Sequence, residues 1–367
     1  MRTSTIVFLA LSVLSTPVAA AEFCVTSSQQ LVDALNAADS NNQDDVIRVA
    51  TGDYSAPDAN GFRYLANSAS PEDRSLVISG GWTEFFGNPC GQQAGSAPWD
   101  TFLSGNGGRV MGIFEGSLSD ITGIEISNLS FTNGDSAGEA GGLFIDMNAS
   151  SGDVQIERCA FIGNHASKAA AMKLVGTQRI QLRSSLVVAN TTAESGPQSS
   201  AVLISTSGDQ GIYLINNTIV SNQIEAADSP MYGGAFLVAN DPAKALVVNN
   251  ILWENDGYDL ATFGSGDFYI HNNDIGERVG SNLELLDNIS VEPVYAGGLL
   301  DFTPAGDSEL INAGRRPPPI NPIPVPFDNN WSTGSVDFVG NPRIRGGQID
   351  IGAYEGLPSV IFTDGFE

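Results

Sequence analysis

Along most of the chain, apolar residues recur at period two in short bursts, and the bursts themselves repeat. Six segments carry one pattern: Ile124–Asn133 (IEISNLSFTN), Val154–Asn164 (VQIERCAFIGN), Ile180–Asn190 (IQLRSSLVVAN), Ile212–Asn222 (IYLINNTIVSN), Leu246–Asn255 (LVVNNILWEN) and Phe268–Ile275 (FYIHNNDI). Each opens apolar-x-apolar, passes through a small or polar residue that is often Asn, and enters a second apolar run. Five of the six end on Asn. Period-two alternation predicts strands with one face buried. The intervening Asn residues predict a sharp bend, because Asn tolerates left-handed dihedrals and bonds its own backbone. The segments start 30, 26, 32, 34 and 22 residues apart. The shortest spacing then corresponds to a bare coil, and the longer ones to coils with surface loops.

A third run falls between these units, at Gly141–Ile145, Ala171–Val175, Ala201–Ile204 and Gly233–Val238. Three short strands per coil predict a parallel solenoid that buries a continuous apolar interior. Ile126, Ile156, Leu182, Leu214, Val248 and Ile270 should point inward at one shared register position. Asn128, Asn216, Asn217, Asn249, Asn250, Asn272 and Asn273 fall near one corner and are read as an internal Asn ladder. Asn clusters also bind sugar or calcium, but at repeating corners the structural role is favoured. A β-sandwich would not place Asn at matched corners, and a propeller expects a more regular blade signature.

The ends differ from the repeat. Ser27–Ala38 (SSQQLVDALNAA) reads as a short amphipathic helix with Leu31, Ala34, Leu35 and Ala38 on its apolar face and Ser27 or Ser28 as N-cap. The strand Val46–Ala50 and the turn Gly52-Asp53-Tyr54 follow. This succession resembles the opening of many right-handed parallel β-helix proteins. At the other end stand Ser308–Gly314 (SELINAG), Asp337–Arg343 (DFVGNPR) and Asp350–Glu355 (DIGAYE). They resemble the choice-of-anchor Q module that closes many secreted bacterial β-helix proteins. Glu309 and Asn312 depart from that pattern, which has Pro and Asp there. Arg315–Pro326 (RRPPPINPIPVP) interrupts it as a rigid, extended loop, with a ligand for a Pro-binding partner as the alternative. Val360–Glu367 (VIFTDGFE) resembles a short ending of exported proteins from some Gram-negative bacteria, and reads either as a sorting tag or as a final strand.

The expected organisation is therefore a signal peptide at 1–20, an N-terminal cap and first coils at 21–110, the all-β right-handed parallel β-helix at 111–290, a closing module at 291–356 and a tail at 357–367. The leader carries Arg2, the apolar run Ile6–Leu14 and small residues at Pro17–Ala21. The run is too short to span a bilayer, which takes about 20 apolar residues. Export permits disulfides. Cys24 and Cys90 flank one N-terminal unit and are read as bonded, which in the chain-entropy model contributes about 4 kcal/mol. Cys159 sits in an apolar strand pattern and is read as buried and free. No CxxC pair or neighbouring His supports a metal site instead.

The chain holds 42 acidic against 16 basic residues, a net charge of −26. Such a surface repels nucleic acid, anionic membrane and acidic polysaccharide at low salt. No cofactor is expected, calcium being the one ion this surface could collect. The expected product is a monomeric protein outside the inner membrane of a Gram-negative cell, released or at the outer surface, with glycans or surface components as partners.

An enzymatic site is not legible. Pectin-type hydrolases would need clustered Asp and a Gly-His-Gly. Here Asp44-Asp45 is the only vicinal Asp pair, and His165 and His271 are the only histidines. Lys173, Arg179 and Arg183 beside Asp135, Glu139 and Asp146 are of types a polysaccharide lyase uses, without diagnostic spacing. The favoured reading is a non-catalytic scaffold or adhesion-type protein, and the alternative is a polysaccharide lyase or glycoside hydrolase working on a solenoid face.

Overall fold

The computed structural model describes residues 20–358, apart from 42, 67–73, 95–96, 117–120, 149–150, 197, 227–231, 282, 319, 321–326, 328–330 and 346. The leader and the Val360–Glu367 tail lie outside these residues. The chain winds as a parallel β-helix with three long faces. Face 1 runs from Ala21–Val25 through Ile121–Ser127 and Ile212–Ile215 to Glu284–Leu286. Face 2 runs from Gly52–Ser55 to Asp274–Ile275, and face 3 from Phe62–Ala66 to Arg278–Gly280. Successive strands on every face pair in parallel; Asn88–Gln93 alone folds back antiparallel on Arg74–Phe85 among the described residues. A fourth, short strip lies between faces 2 and 3, where three strands per coil were expected. It stacks Asp135–Glu139, His165–Lys168, Thr191–Thr192 and Gln223–Ile224.

The interior follows the alternation. Ile78, Ile126, Ile156, Leu182, Leu214, Val247 and Ile270 stand in register on face 1, each at most 1% exposed. Val248, expected in this row, points outward beside Ile215 and His271. The reason is that the Asn pair at the bend sets the register. Counting back from Asn249-Asn250, as from Asn216-Asn217, selects Val247; counting forward from Leu246 slips by one residue and reverses the face.

The bend itself has two parts. Asn128, Arg158, Ser184, Asn216, Asn249, Asn272 and Asp287 are left-handed, with φ between 48 and 59°. The next residue points inward. Asn217, Asn250, Asn273 and Asn288 form the ladder: each side-chain oxygen accepts from the preceding coil's backbone N, at 2.9–3.0 Å. Of the seven expected ladder residues, Asn217, Asn250 and Asn273 belong to it. Asn128, Asn216, Asn249 and Asn272 instead supply the left-handed turn. Three of these reach outward: Asn216 to the carbonyls of Asp350 and Gly352, Asn249 to that of Arg315, and Asn272 to that of Ala313. A second ladder, Asn164–Asn190–Asn222–Asn255, lines the corner after face 2 and ends on Asp259. Both ladders satisfy backbone donors that the bend removes from the sheets.

At the N-terminal end, Ser27 caps the helix Ser28–Ser40, whose Leu31, Ala34, Leu35 and Ala38 are buried over the first coils. Cys24 and Cys90 are bonded, with Cα atoms 5.7 Å apart, and Cys159 is buried and free. The C-terminal segment was expected to close the opposite end. It lies along the flank instead. Leu310, Phe338, Ile351, Ala353 and Tyr354 pack on the outer side of face 2, against Leu186, Val188, Val220 and Ile251. Phe327 and Trp331 cover Tyr213, Leu246, Val248 and Tyr269 on face 1. Arg343, fully buried, ties the segment together through Glu355 at 3.0 Å and reaches Ser184 Oγ of the solenoid at 2.9 Å. The last strand keeps Leu285 at a core position while 41% exposed, and Leu283 just before it is 58% exposed.

Candidate functional site

The short fourth strip builds a polar groove on the surface. Because its strands pair in parallel register, residues roughly thirty apart in sequence become neighbours: Asp135 stands beside His165, and His165 beside Thr191. Residues 59–60, 107–109 and 135–138, with His165 and Ser167, enclose about 670 Å³. The wall depends on glycine at Gly108, where a Cβ would lie 1.9 Å from the Ala59 carbonyl oxygen. It depends likewise on Gly141 behind the strip, where a Cβ would meet the His165 oxygen at 2.4 Å.

His165 stands at one end of this groove. Its Nδ1 lies 2.8 Å from Asp135 Oδ1, and its Nε2 lies 3.7 Å from Glu225 Oε1. The Asp135 contact fixes the ring's orientation and makes Nδ1 the protonated nitrogen. Nε2 then faces Glu225, on the side of the ring away from Asp135. Ser167 Oγ donates to the Ala137 carbonyl at 2.7 Å. At the far wall, Arg109 donates to the carbonyls of Glu139 at 2.5 Å and Ala140 at 3.0 Å. Its guanidinium sits 4.9 Å from the Phe144 ring and 5.7 Å from that of Phe114. Burial between these rings pushes the Arg109 pKa down from its ordinary value. Lys173 pairs with Glu139 at 2.6 Å and also overlies Phe144. The groove thus offers donors and acceptors held in place by neighbours, which favours recognition of a hydroxyl-rich ligand with little ordering cost.

The structure divides the charged residues noted in the sequence. Asp135 lines the groove, while Glu139 and Lys173 pair beside its Arg109 wall. Arg179 and Arg183 lie on face 1, where Arg183 pairs with Glu157 at 2.5 Å and donates to the Ser332 carbonyl. Arg179 overlies the Tyr213 ring there. Asp146 is on face 3 and accepts from Asn148. Asp45 is buried beside Asn41, and desolvation raises its pKa to about 6. His271 is buried under the C-terminal segment, and burial together with the Arg315 charge lowers its pKa. Among the described residues, no group of three or more His, Cys, Asp or Glu side chains is set to hold a metal. No described helix is long and apolar enough to cross a membrane.

Arg109, Glu225 and the pairing of Asp135 with His165 were not recognised from sequence. The signal was present but displaced by one. Asp135, His165, Thr191 and Gln223 each follow a ladder position, and that position is Gly134 in the first coil and Asn in the others. Asn133, which seemed to end the first unit, is the left-handed residue one place earlier. No protein-family model, curated protein or solved structure matches the chain.

Proposed function

We propose that this protein is an exported β-helix scaffold that binds a glycan in the groove around His165. The observation that carries the reading is the groove's lining: Asp135, His165, Ser136, Ser167 and Asn60 bring polar groups into one concave space of about 670 Å³. That is within the size range of small-molecule sites. A sugar's hydroxyls match this mixture of donors and acceptors. The net charge of −26 disfavours nucleic acid, anionic membranes and acidic polysaccharides as partners. Export is supported by the Arg2–Ala21 leader pattern and the Cys24–Cys90 bond. Retention at the outer surface of a Gram-negative cell, by a choice-of-anchor Q type module, is supported by the resemblance of Ser308–Gly314, Asp337–Arg343 and Asp350–Glu355 to that module. The tail's resemblance to an exported-protein ending points the same way.

A glycan array probed with the exported, monomeric protein tests the reading. Binding to a defined glycan class is expected, with Asp135→Asn and His165→Ala each weakening it about tenfold or more. Absence of binding, or binding indifferent to both substitutions, would overturn it.

One observation favours a second reading, a carbohydrate-active enzyme. His165 is oriented by Asp135 with Nε2 turned toward Glu225, an arrangement that suits general acid–base chemistry. Incubation with a panel of polysaccharides separates the readings: chain cleavage abolished by His165→Ala supports the enzyme, and unchanged chain length supports the scaffold.

A further inference from the structure

A second hollow lies away from the His165 groove, where the turn Ala97–Asp100 meets the C-terminal segment. We propose that it is a subsite for one neutral pyranose unit, built on the face of Trp99. The proposal takes its ligand class from the glycan-binding reading and stands on different residues. The hollow encloses about 460 Å³ and is lined by Trp99, Leu299, Leu300, Asp301, Thr303, Val339 and Tyr354.

Trp99 is half-buried and held by two other rings. Phe338 meets it edge-on, with centroids 5.2 Å apart at 74°, and Tyr354 backs Phe338 at 5.1 Å. The Tyr354 hydroxyl donates to the Leu300 carbonyl at 3.2 Å, so the third ring is fixed too. A preorganised indole surface of this kind offers an apolar plate at little entropic cost. Beside it stands a carboxylate. Asp301 Oδ1 already accepts from Thr303 N at 3.1 Å and from Thr303 Oγ1 at 2.6 Å. Oδ2 is the acceptor left for a ligand hydroxyl.

The combination selects among ligands. A pyranose presents an apolar C–H face to the plate and hydroxyl donors to the carboxylate. A lipid chain would have to bury that carboxylate without a donor, which is costly. A peptide added as a strand needs free backbone edges, and the loop spends its own: Ala296 N donates to Thr303 O, Ala305 N to Val294 O, and Asp301 N to Gly298 O. A uronate or phosphate would meet Asp301 and a chain of net charge −26. Among the ligands compared, the uncharged sugar matches both the apolar plate and the carboxylate.

Titration of the full chain with neutral and uronate oligosaccharides, followed by tryptophan emission, tests the proposal. Neutral oligosaccharides are expected to shift the emission, and uronate ones to bind about tenfold more weakly or not at all. Trp99→Leu should abolish the shift. Asp301→Asn, an isosteric change on an exposed loop, should weaken binding several-fold while leaving the melting temperature unchanged. His165→Ala should leave the Trp99 signal intact. An emission shift that survives Trp99→Leu and an affinity untouched by Asp301→Asn would overturn the subsite. So would preferential binding of uronates, or no binding at all. Array binding lost with His165→Ala but not with either subsite variant would retain the groove and remove the subsite; the opposite pattern would retain the subsite and remove the groove.

Discussion

Asn250 shows how much one side chain holds at the corner. Its oxygen accepts from the backbone and side-chain nitrogens of Asn217, at 2.9 and 3.0 Å, while its amide donates to the carbonyls of Leu214 and Val248. Asn250→Ala strands these buried partners and leaves a small void. It should cost about 2–4 kcal/mol in urea unfolding. Asn128→Gly tests the other half of the bend. Its φ is 57°, where glycine has no steric penalty, so the change should cost less than about 1 kcal/mol. Equal costs for the two would contradict the division between ladder and left-handed turn. Sequence alone pooled these positions, because both favour Asn, for different physical reasons. Asp274 carries a separate test. It is fully buried and its Oδ2 has no hydrogen-bond partner, so desolvation raises its pKa from 3.8 to about 7. The folded state therefore holds this proton more tightly than the unfolded chain. Its stabilising contribution is complete below pH 3.8 and is lost as pH rises through about 7. Asp274→Asn should be more stable than the wild type at pH 8, by an amount on the order of a few kcal/mol, with the difference shrinking toward pH 4. A pH-independent difference in melting temperature would refute this assignment.

The elements were legible where they repeat. The helix Ser28–Ser40, its Ser27 cap and its four buried residues follow from local pattern, as do the face 1 and face 3 strands. The docking place of the C-terminal segment was not legible from its own residues, which form no repeat. Its footprint was written elsewhere. Leu186-Val187-Val188 is apolar at three successive positions, and Thr218-Ile219-Val220 and Ile251-Leu252-Trp253 are similar. A strand apolar on both sides is covered on both sides, so face 2 announced a second layer. Phe338 sits in that layer, fully buried and against Trp99. Phe338→Ala should destabilise the docked segment by about 3–5 kcal/mol. In hydrogen exchange, protection should fall across 308–314 and 337–355 while the face 1 core strands keep theirs. Loss of protection throughout the solenoid would show that the segment and coils form one cooperative unit.

At the scale of the whole molecule, parallel stacking converts a spacing of some thirty residues into adjacency. Ten successive strands on face 1 give a rod roughly 45 Å long at the usual strand separation. The same stacking assembles the groove, since Asn60, Arg109, Asp135 and His165 come from separate coils. This is why the fold could be read from one chain and the site could not. Core positions repeat and reinforce one another, whereas each groove residue occurs once, and a register error of one residue hides its neighbours. The −26 charge acts at this scale too, by disfavouring anionic partners. Glycan binding in the groove beside His165 is the reading at stake. A crystal structure of the protein with an oligosaccharide selected from an array tests it most directly. Sugar density is expected among Asp135, Ser136, His165 and Ser167. An empty groove at saturating ligand would contradict it.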